Sequence, residues 1–196
     1  PNTNPLTVTL DALNAKLDLL NEKCIVNHSC YFGATNNNYT EFDKLDKHRV
    51  CGIKLFMGSS TGNMLVDKMN SLLNIFNGTD MLIAAHCEDQ ETIKNNIEKY
   101  KQKYKGADDI PVSAHPSIRS VPACYASSEL AVRLAKIAGA RLHILHVSTA
   151  KELQLFSDEP LANKNITAEA CVAHLLFTLT HYNSLGARIK CNPAVK

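Results

Sequence analysis

Four apolar segments of the sequence carry a side chain that can bind a metal or move a proton. Lys54 lies in GIKLFMG, His86 ends LIAAH, His146 ends LHILH and Glu169 lies in ITAEAC. Imidazole is a good zinc ligand, so a histidine at the end of each of two strands forms a natural metal pair. A lysine inside an apolar strand is costly unless it is paired or modified. We therefore expect Lys54, His86 and His146 to converge on one pocket.

Each of these residues, taken singly, has a more ordinary interpretation. A lone histidine is usually a core or loop residue with satisfied hydrogen bonds. A lone buried lysine more often forms a structural ion pair, for which Glu88, Asp89 and Glu169 stand at neighbouring strand ends. The series of lysine, histidine and histidine on successive strands is much more specific than any one of its members.

The other histidines are predicted to be structural. His143 lies three residues before His146, and because side chains alternate across a strand we expect the two to face opposite sides. No spacing argument applies to the remaining five, which are His28, His48, His115, His174 and His181. His115 and Arg119, in HPSIRS, are also considered for the border of a substrate entrance.

The elements that must position these residues alternate along the chain. The candidate strands are Cys24–Phe32, Gly52–Met57, Met81–His86, Arg141–Val147 and Asn165–Cys171. Helical periodicity predicts helices over Leu10–Lys23, Val66–Phe76 and Ser127–Ile137. The strands are continuously apolar, which is typical of a parallel sheet covered on its faces. The polar segment Glu88–Ser120 is predicted to be a helix followed by an excursion over the active face.

Composition excludes several functional classes. The 196 residues are 45% hydrophobic and 20% charged, with a net charge of +2, so no nucleic-acid or membrane partner is indicated. No stretch reaches the ~18 apolar residues of a membrane span, and no signal peptide is visible. Seven cysteines without a CxxC pair fit neither a zinc ribbon nor a regular disulfide framework. We expect buried, reduced cysteines and a cytoplasmic protein.

Several motifs together resemble the dihydroorotases that are related to hydantoinases and allantoinases in the amidohydrolase superfamily. The resemblance runs from residue 1 to residue 196 through PNTNP, GIKLFMGSSTG, AAHCED, ILHVST, ITAEACVAHLLF and KCNPAVK. The 32 residues from Lys54 to His86 and the 60 from His86 to His146 agree with the family's spacing. The resemblance implies an α/β fold, a partial TIM (β/α)8 barrel with about strands 3–7 present in a single domain over residues 1–196.

The resemblance also implies a site. Lys54 resembles the lysine that carbon dioxide converts to a carbamate bridging two zinc ions, and His86 and His146 resemble the histidines that bind the second zinc. Asn2 and Asn192 resemble the asparagines that contact dihydroorotate. The implied activity is the zinc-dependent, reversible hydrolysis of a cyclic amide in pyrimidine biosynthesis, on a small-molecule substrate, by a cytoplasmic homo-oligomer.

The sequence departs from the family pattern in three ways. The family's HxH ligands and its strand-eight catalytic Asp are not found in it, so no catalytic residue is assigned and we expect this chain alone to have little activity. Ala173 stands where the family often has a histidine, and PAVK stands where PPLR is usual. The alternatives are a dihydropyrimidinase, hydantoinase or allantoinase, and a non-catalytic barrel homologue; no Tyr follows Lys54 closely, unlike in hydantoinases.

Overall fold

The computed structural model describes residues 2–58, 62–106, 108 and 110–196. Pro1 of the opening motif, and Ser59, Ser60 and Thr61 of the lysine motif, lie outside the described residues. Within the described part of the chain the strands are β1 Cys30–Gly33, β2 Val50–Phe56, β3 Ile83–His86, β4 Leu142–Ile144 and β5 Ile166–Ala168. They form one parallel sheet in the order β1-β2-β3-β4-β5, which confirms the predicted parallel sheet of five strands.

Helices occupy most of the connections between these strands. The α-helices are α1 Leu10–Lys23, α2 Met69–Asn77, α3 Gln90–Tyr104, α4 His115–Ile118, α5 Val121–Ala138, α6 Val172–Leu176 and α7 Tyr182–Leu185. Short 3-10 helices cover Tyr39–Lys44, Val112–Ala114, Ala150–Leu155, Leu161–Asn163, Leu179–His181 and Gly186–Ile189. Helix α3 confirms the helix predicted within Glu88–Ser120, and Ala107 and Asp109 of the excursion after it lie outside the described residues. None of the described helices is both long and apolar enough to cross a membrane.

Local signals decide how well the helix boundaries were predicted. Helix α1 matches its predicted range because Thr9 caps it, accepting a hydrogen bond from the backbone N–H of Ala12 at 3.2 Å. Helix α2 begins later than predicted because the chain ahead of it is still extended, and the N–H of Val66 donates to the Phe56 carbonyl at 2.9 Å. Helix α5 begins earlier than predicted, with Pro122 in its first turn.

The strands are shorter than their apolar runs. The predicted strand Cys24–Phe32 was wrong in its first half: Ile25 is 99% exposed and Val26 68% exposed, and pairing with β2 covers only Cys30–Gly33, with a register shift between Cys30 and Tyr31. An apolar run forms a strand only where a neighbouring strand can pair with it. Strands β4 and β5 likewise pair over three residues each, inside their longer predicted runs.

The main core lies between one face of the sheet and the helices behind it. Phe32, Ile53, Leu55, Ile83 and Leu142 are fully buried on the strands. Burial of each such side chain stabilises the fold by about 1.5–3 kcal/mol. This face of the sheet therefore anchors the strands, and the opposite face is left to carry polar groups.

A second apolar cluster lies apart from this core. Its buried members are Tyr182, Ile189 and Val195, and we call these three the satellite cluster. The satellite cluster packs against Val112, which belongs to the excursion between α3 and α4. The satellite cluster therefore links the segment that follows α3 to the segment that follows β5.

The cysteines are only partly as predicted. All seven are free, but only Cys87 and Cys124 are buried, whereas Cys51 and Cys171 are exposed. The prediction that cysteines inside apolar runs are buried was wrong for the exposed pair. Cys51 lies at the start of β2, and Cys171 lies beyond the end of β5.

Candidate metal centre

The sheet register places Lys54 and His86 on one face. Lys54 pairs with Ala84, and Phe56 pairs with His86. Side chains two residues apart on a strand share a face, and aligned neighbours in a parallel pair point the same way. Lys54 and His86 therefore both project from the face opposite the main core, near the carboxyl ends of their strands. Both are buried, with 8% and 4% of their surface exposed.

His86 and His146 face each other across the ends of β3 and β4. Nδ1 of His86 lies 3.1 Å from Nε2 of His146, and the ring centroids are 4.8 Å apart at 73°. The pKa of His146 is lowered to about 3 by burial first, and then by the nearby positive charges of His86 and Lys54. His146 is therefore neutral at physiological pH, which is the form in which imidazole binds a metal.

The backbone of His146 departs from strand geometry. Its φ is 42°, a left-handed conformation that is uncommon for a residue other than glycine and that is enriched at functional sites. Strand β4 already ends at Ile144, so the alternation of side chains does not extend to His146. The left-handed turn instead directs its ring toward His86.

The prediction that His143 faces away from His146 was wrong for this reason. His143 pairs with Ala84, so it lies on the same face as His86. Its ring nitrogens hydrogen-bond Thr167 Oγ1 at 2.8 Å and Glu169 Oε2 at 3.4 Å. These contacts to β5 and the residue after it are consistent with a structural role.

Lys54 has no carboxylate partner among the described residues. Its ammonium donates to the Leu55 carbonyl at 3.2 Å and lies 3.5 Å from the centroid of the Phe56 ring. The ordinary interpretation required an ion pair, but Asp89 caps α3, and Glu169 contacts His143. Burial lowers the pKa of Lys54 to about 7, so a large fraction of the side chain is a neutral amine near neutral pH.

Glu88 is a member of the site that the sequence reasoning did not assign. Its fully buried carboxylate accepts a hydrogen bond from Nε2 of His86 at 2.9 Å and another from Arg119. Burial alone would raise the pKa of Glu88, but the hydrogen bond from His86 and the charge of Arg119 outweigh it, and the pKa is lowered. The carboxylate holds the proton on Nε2 and leaves Nδ1 of His86 free to act as a ligand. The spacing His86-x-Glu88 is the signal that could have found it.

The distance between the ring nitrogens of His86 and His146 is the feature of the site that fits a metal ion. Among the described residues, no cluster of three or more His, Cys, Asp or Glu side chains could hold a metal. Lysine is not one of these residue types, so Lys54 does not count toward such a cluster. Two ligands of a tetrahedral zinc with bonds of about 2.0–2.1 Å lie roughly 3.3 Å apart. The separation of 3.1 Å between His86 and His146 is close to that value. The two histidines could therefore supply two of the four ligands of a tetrahedral zinc, and Lys54 lies beside them.

Asn2 and Asn192 are both exposed. The segment that contains Asn2 runs beside β1, where the N–H of Gly33 donates to the Thr7 carbonyl at 2.8 Å, and Gly33 pairs with Lys54. The segment of Asn192 returns to the same end of the sheet: Nζ of Lys196 donates to Ser148 Oγ at 2.8 Å. Ser148 lies two residues after His146, so both segments approach the end of the sheet that carries the histidine pair.

His115 and Arg119, considered above for the substrate entrance, also lie at this end of the sheet. Arg119 reaches Glu88, and His115 contacts the segment of Asn192. The structure therefore brings together Lys54, His86 and His146 and gives them a supporting shell.

Comparison with known proteins gives one consistent group of relatives. No family model matches the chain. A dihydroorotase from Methanosphaera stadtmanae is 28% identical over 100% of this chain, and an allantoinase from Deinococcus radiodurans is 25% identical over the same share. Among solved structures, the L-hydantoinase (dihydropyrimidinase) from Arthrobacter aurescens superposes with a TM-score of 0.88 and 25% identity.

These matches cover the whole of this chain but only part of the relatives. The chain spans 44% of the length of the two curated relatives and 43% of the solved hydantoinase. Its parallel sheet superposes on a fragment of the TIM barrel of the hydantoinase. The chain is therefore a homologue of the dihydroorotases, allantoinases and hydantoinases of the amidohydrolase superfamily, and it corresponds to a fragment of their barrel.

Proposed function

We propose that residues 1–196 are the central part of one barrel domain of a dihydroorotase. This enzyme hydrolyses the cyclic amide of dihydroorotate to N-carbamoyl-aspartate and catalyses the reverse cyclisation. The observation that carries the proposal is the pair of ring nitrogens of His86 and His146, 3.1 Å apart, beside the buried Lys54. In the complete protein, Nδ1 of His86 and Nε2 of His146 would hold one of two zinc ions.

Lys54 is proposed to carry a carbamate that bridges the two metals. A neutral amine adds carbon dioxide by forming an N–C bond and releasing a proton, which turns a cationic side chain into an anionic oxygen donor. Burial supplies the neutral amine, since it lowers the pKa of Lys54 to about 7. Bound zinc lowers the pKa of a water molecule and polarises a substrate carbonyl. The chain itself would position these ligands and bury Lys54 and His86 away from water.

Three features favour dihydroorotate over other cyclic amides. PNTNP and KCNP supply Asn2 and Asn192 as proposed substrate contacts, and no Tyr follows Lys54 within the next six positions. The identity to the dihydroorotase, 28%, is slightly above the 25% to the allantoinase.

The second candidate is a hydantoinase or allantoinase activity. The observation in its favour is the TM-score of 0.88 with the L-hydantoinase, at 25% identity. A non-catalytic homologue is disfavoured because Lys54, His86 and His146 are all present. Both alternatives are separated from dihydroorotase by direct assay.

We also propose that the enzyme works in the cytoplasm as a homo-oligomer on a small-molecule substrate. The free cysteines, including the exposed Cys51 and Cys171, fit a reducing compartment. No nucleic-acid or membrane partner is proposed, because the net charge is only +2.

The proposal is tested on the full-length protein. We expect turnover of dihydroorotate to exceed that of allantoin and hydantoin, with about two zinc ions per chain by elemental analysis. Lys54→Ala should lose zinc and activity together, and short carboxylic acids with bicarbonate should restore part of both. The exposed Lys151 offers a matched control, since Lys151→Ala should change neither. Faster turnover of allantoin or hydantoin would select the second candidate, and full activity without zinc would refute both.

A further inference from the structure

Two histidines hold the backbone on either side of Asn192. Nε2 of His115 lies 2.8 Å from the carbonyl oxygen of Cys191, and Nε2 of His174 lies 2.8 Å from the carbonyl oxygen of Pro193. A carbonyl oxygen only accepts, so each ring donates from Nε2. The peptide group before Asn192 and the one after Pro193 are therefore both held.

A further contact ties the same short segment. The Cys191 thiol donates to the Pro193 carbonyl at 3.2 Å, so that carbonyl receives two donors. Together these contacts fix the backbone on both sides of Asn192.

Burial separates Asn192 from the residues that follow it. Ala194 and Val195 are almost fully buried, and Val195 belongs to the satellite cluster. Asn192 itself is exposed. The amide of Asn192 is therefore exposed directly before a buried stretch, on backbone that hydrogen bonds hold in place.

The two histidines come from separate parts of the fold. His115 lies on α4, which follows the excursion after β3, and His174 lies on α6, after β5. Its contact joins His115 to a residue 76 positions away. His174 also leaves its Nδ1 buried without a hydrogen-bond partner among the described residues, which is unfavourable for stability alone.

We infer that His115 and His174 are positioning residues that hold Asn192 as a preformed contact for the substrate. The inference rests on the proposed function, because it takes Asn192 to touch the substrate. The two rings act only through the segment that they hold, and they take no part in the chemistry at the metals.

Hydrogen exchange of the full-length protein tests whether the histidines hold the segment. Loss of one net hydrogen bond changes an opening equilibrium by roughly 2- to 10-fold. His115→Phe and His174→Phe should therefore speed exchange of the backbone amides of residues 190–192 and 194–196 by about that factor. His174→Gln keeps a donor near the same place and should restore slow exchange. His48→Phe, at an exposed histidine, is the matched control and should have no effect.

Kinetics of the same variants test whether the position of Asn192 matters to the substrate. KM for dihydroorotate should rise about 10-fold in both Phe variants, with kcat changed less than about 3-fold and with the zinc content unchanged. Unchanged exchange, or faster exchange with an unchanged KM, would overturn the inference. Absence of dihydroorotate turnover in the wild-type protein would instead refute the proposed function and the substrate contact with it, while the exchange rates still decide whether the segment is held.

Discussion

Replacing Glu88 by glutamine keeps the shape of the side chain and removes its charge. In the structure the carboxylate accepts from Nε2 of His86 at 2.9 Å and from Arg119, so both of its neighbours are donors. Both donors reach the same oxygen, Oε2, whereas Oε1 is buried without a hydrogen-bond partner among the described residues. A glutamine amide keeps one acceptor oxygen that can receive both donors, but it is uncharged and places an NH2 group where Oε1 was. Both hydrogen bonds therefore lose their charge assistance, and the contact that holds the tautomer of His86 weakens.

The magnitude of this change follows from the contacts. A hydrogen bond to a charged group contributes about 1.5–3 kcal/mol, and tenfold in affinity corresponds to about 1.4 kcal/mol. We therefore expect Glu88→Gln to weaken zinc binding by about 10- to 100-fold, the range typical of supporting carboxylates in metal sites. The side chain of Arg119 is only 13% exposed, so removing the negative charge of Glu88 beside it should also lower the free energy of unfolding, by about 1–3 kcal/mol.

The assay is competition for zinc between the full-length protein and a chromogenic chelator, with urea unfolding of the metal-free protein measured in parallel. Glu129→Gln is the matched control, because Glu129 is exposed on helix α5 and does not lie on a strand that carries a proposed metal ligand. Unchanged zinc affinity in Glu88→Gln, with a native circular dichroism spectrum, would refute the role assigned to Glu88.

Two further substitutions test the supports of the site. Glu152 is buried and accepts from two hydroxyl groups at 2.7 Å each, so Glu152→Ala should lower the free energy of unfolding by about 2–4 kcal/mol in urea titration, whereas the exposed Glu159→Ala should change it by less than about 0.5 kcal/mol. A Cβ on Gly58 would meet the carbonyl oxygen of Glu88 at 1.8 Å, so Gly58→Ala should force the ends of β2 and β3 apart and reduce both stability and zinc content. Gly139→Ala, which meets no atom within 4 Å, should cost only the roughly 1–2 kcal/mol of its left-handed backbone, and equal effects of the two glycine variants on zinc content would contradict the argument.

The elements were predicted where the signal is local. Helix α1 was correct because its cap, Thr9, and its buried positions, Leu13 and Leu17, all lie within the helix or next to it. The first half of the predicted strand Cys24–Phe32 was predicted wrongly, because its apolar residues resemble a strand but do not pair with a neighbouring strand among the described residues. Whether a segment forms a strand depends on a neighbouring strand that can pair with it, and the sequence of that segment alone does not show this neighbour.

The candidate site divides in the same way. Lys54 and His86 could be placed on one face because parallel strands align their carboxyl ends. The position of His143 was predicted wrongly because alternation was carried past the end of β4 to His146, whose backbone is left-handed. The contact of Glu88 with Arg119 spans 31 residues, and no periodicity of the sequence indicates it.

The most direct test of the central claim is anomalous diffraction at the zinc edge from crystals of the full-length protein. The proposal predicts a zinc peak about 2.0–2.1 Å from Nδ1 of His86 and Nε2 of His146, with density for a carbamate extending from Nζ of Lys54 toward the peak. Zinc bound elsewhere, or a bare ammonium at Lys54 beside two fully occupied zinc ions, would contradict it.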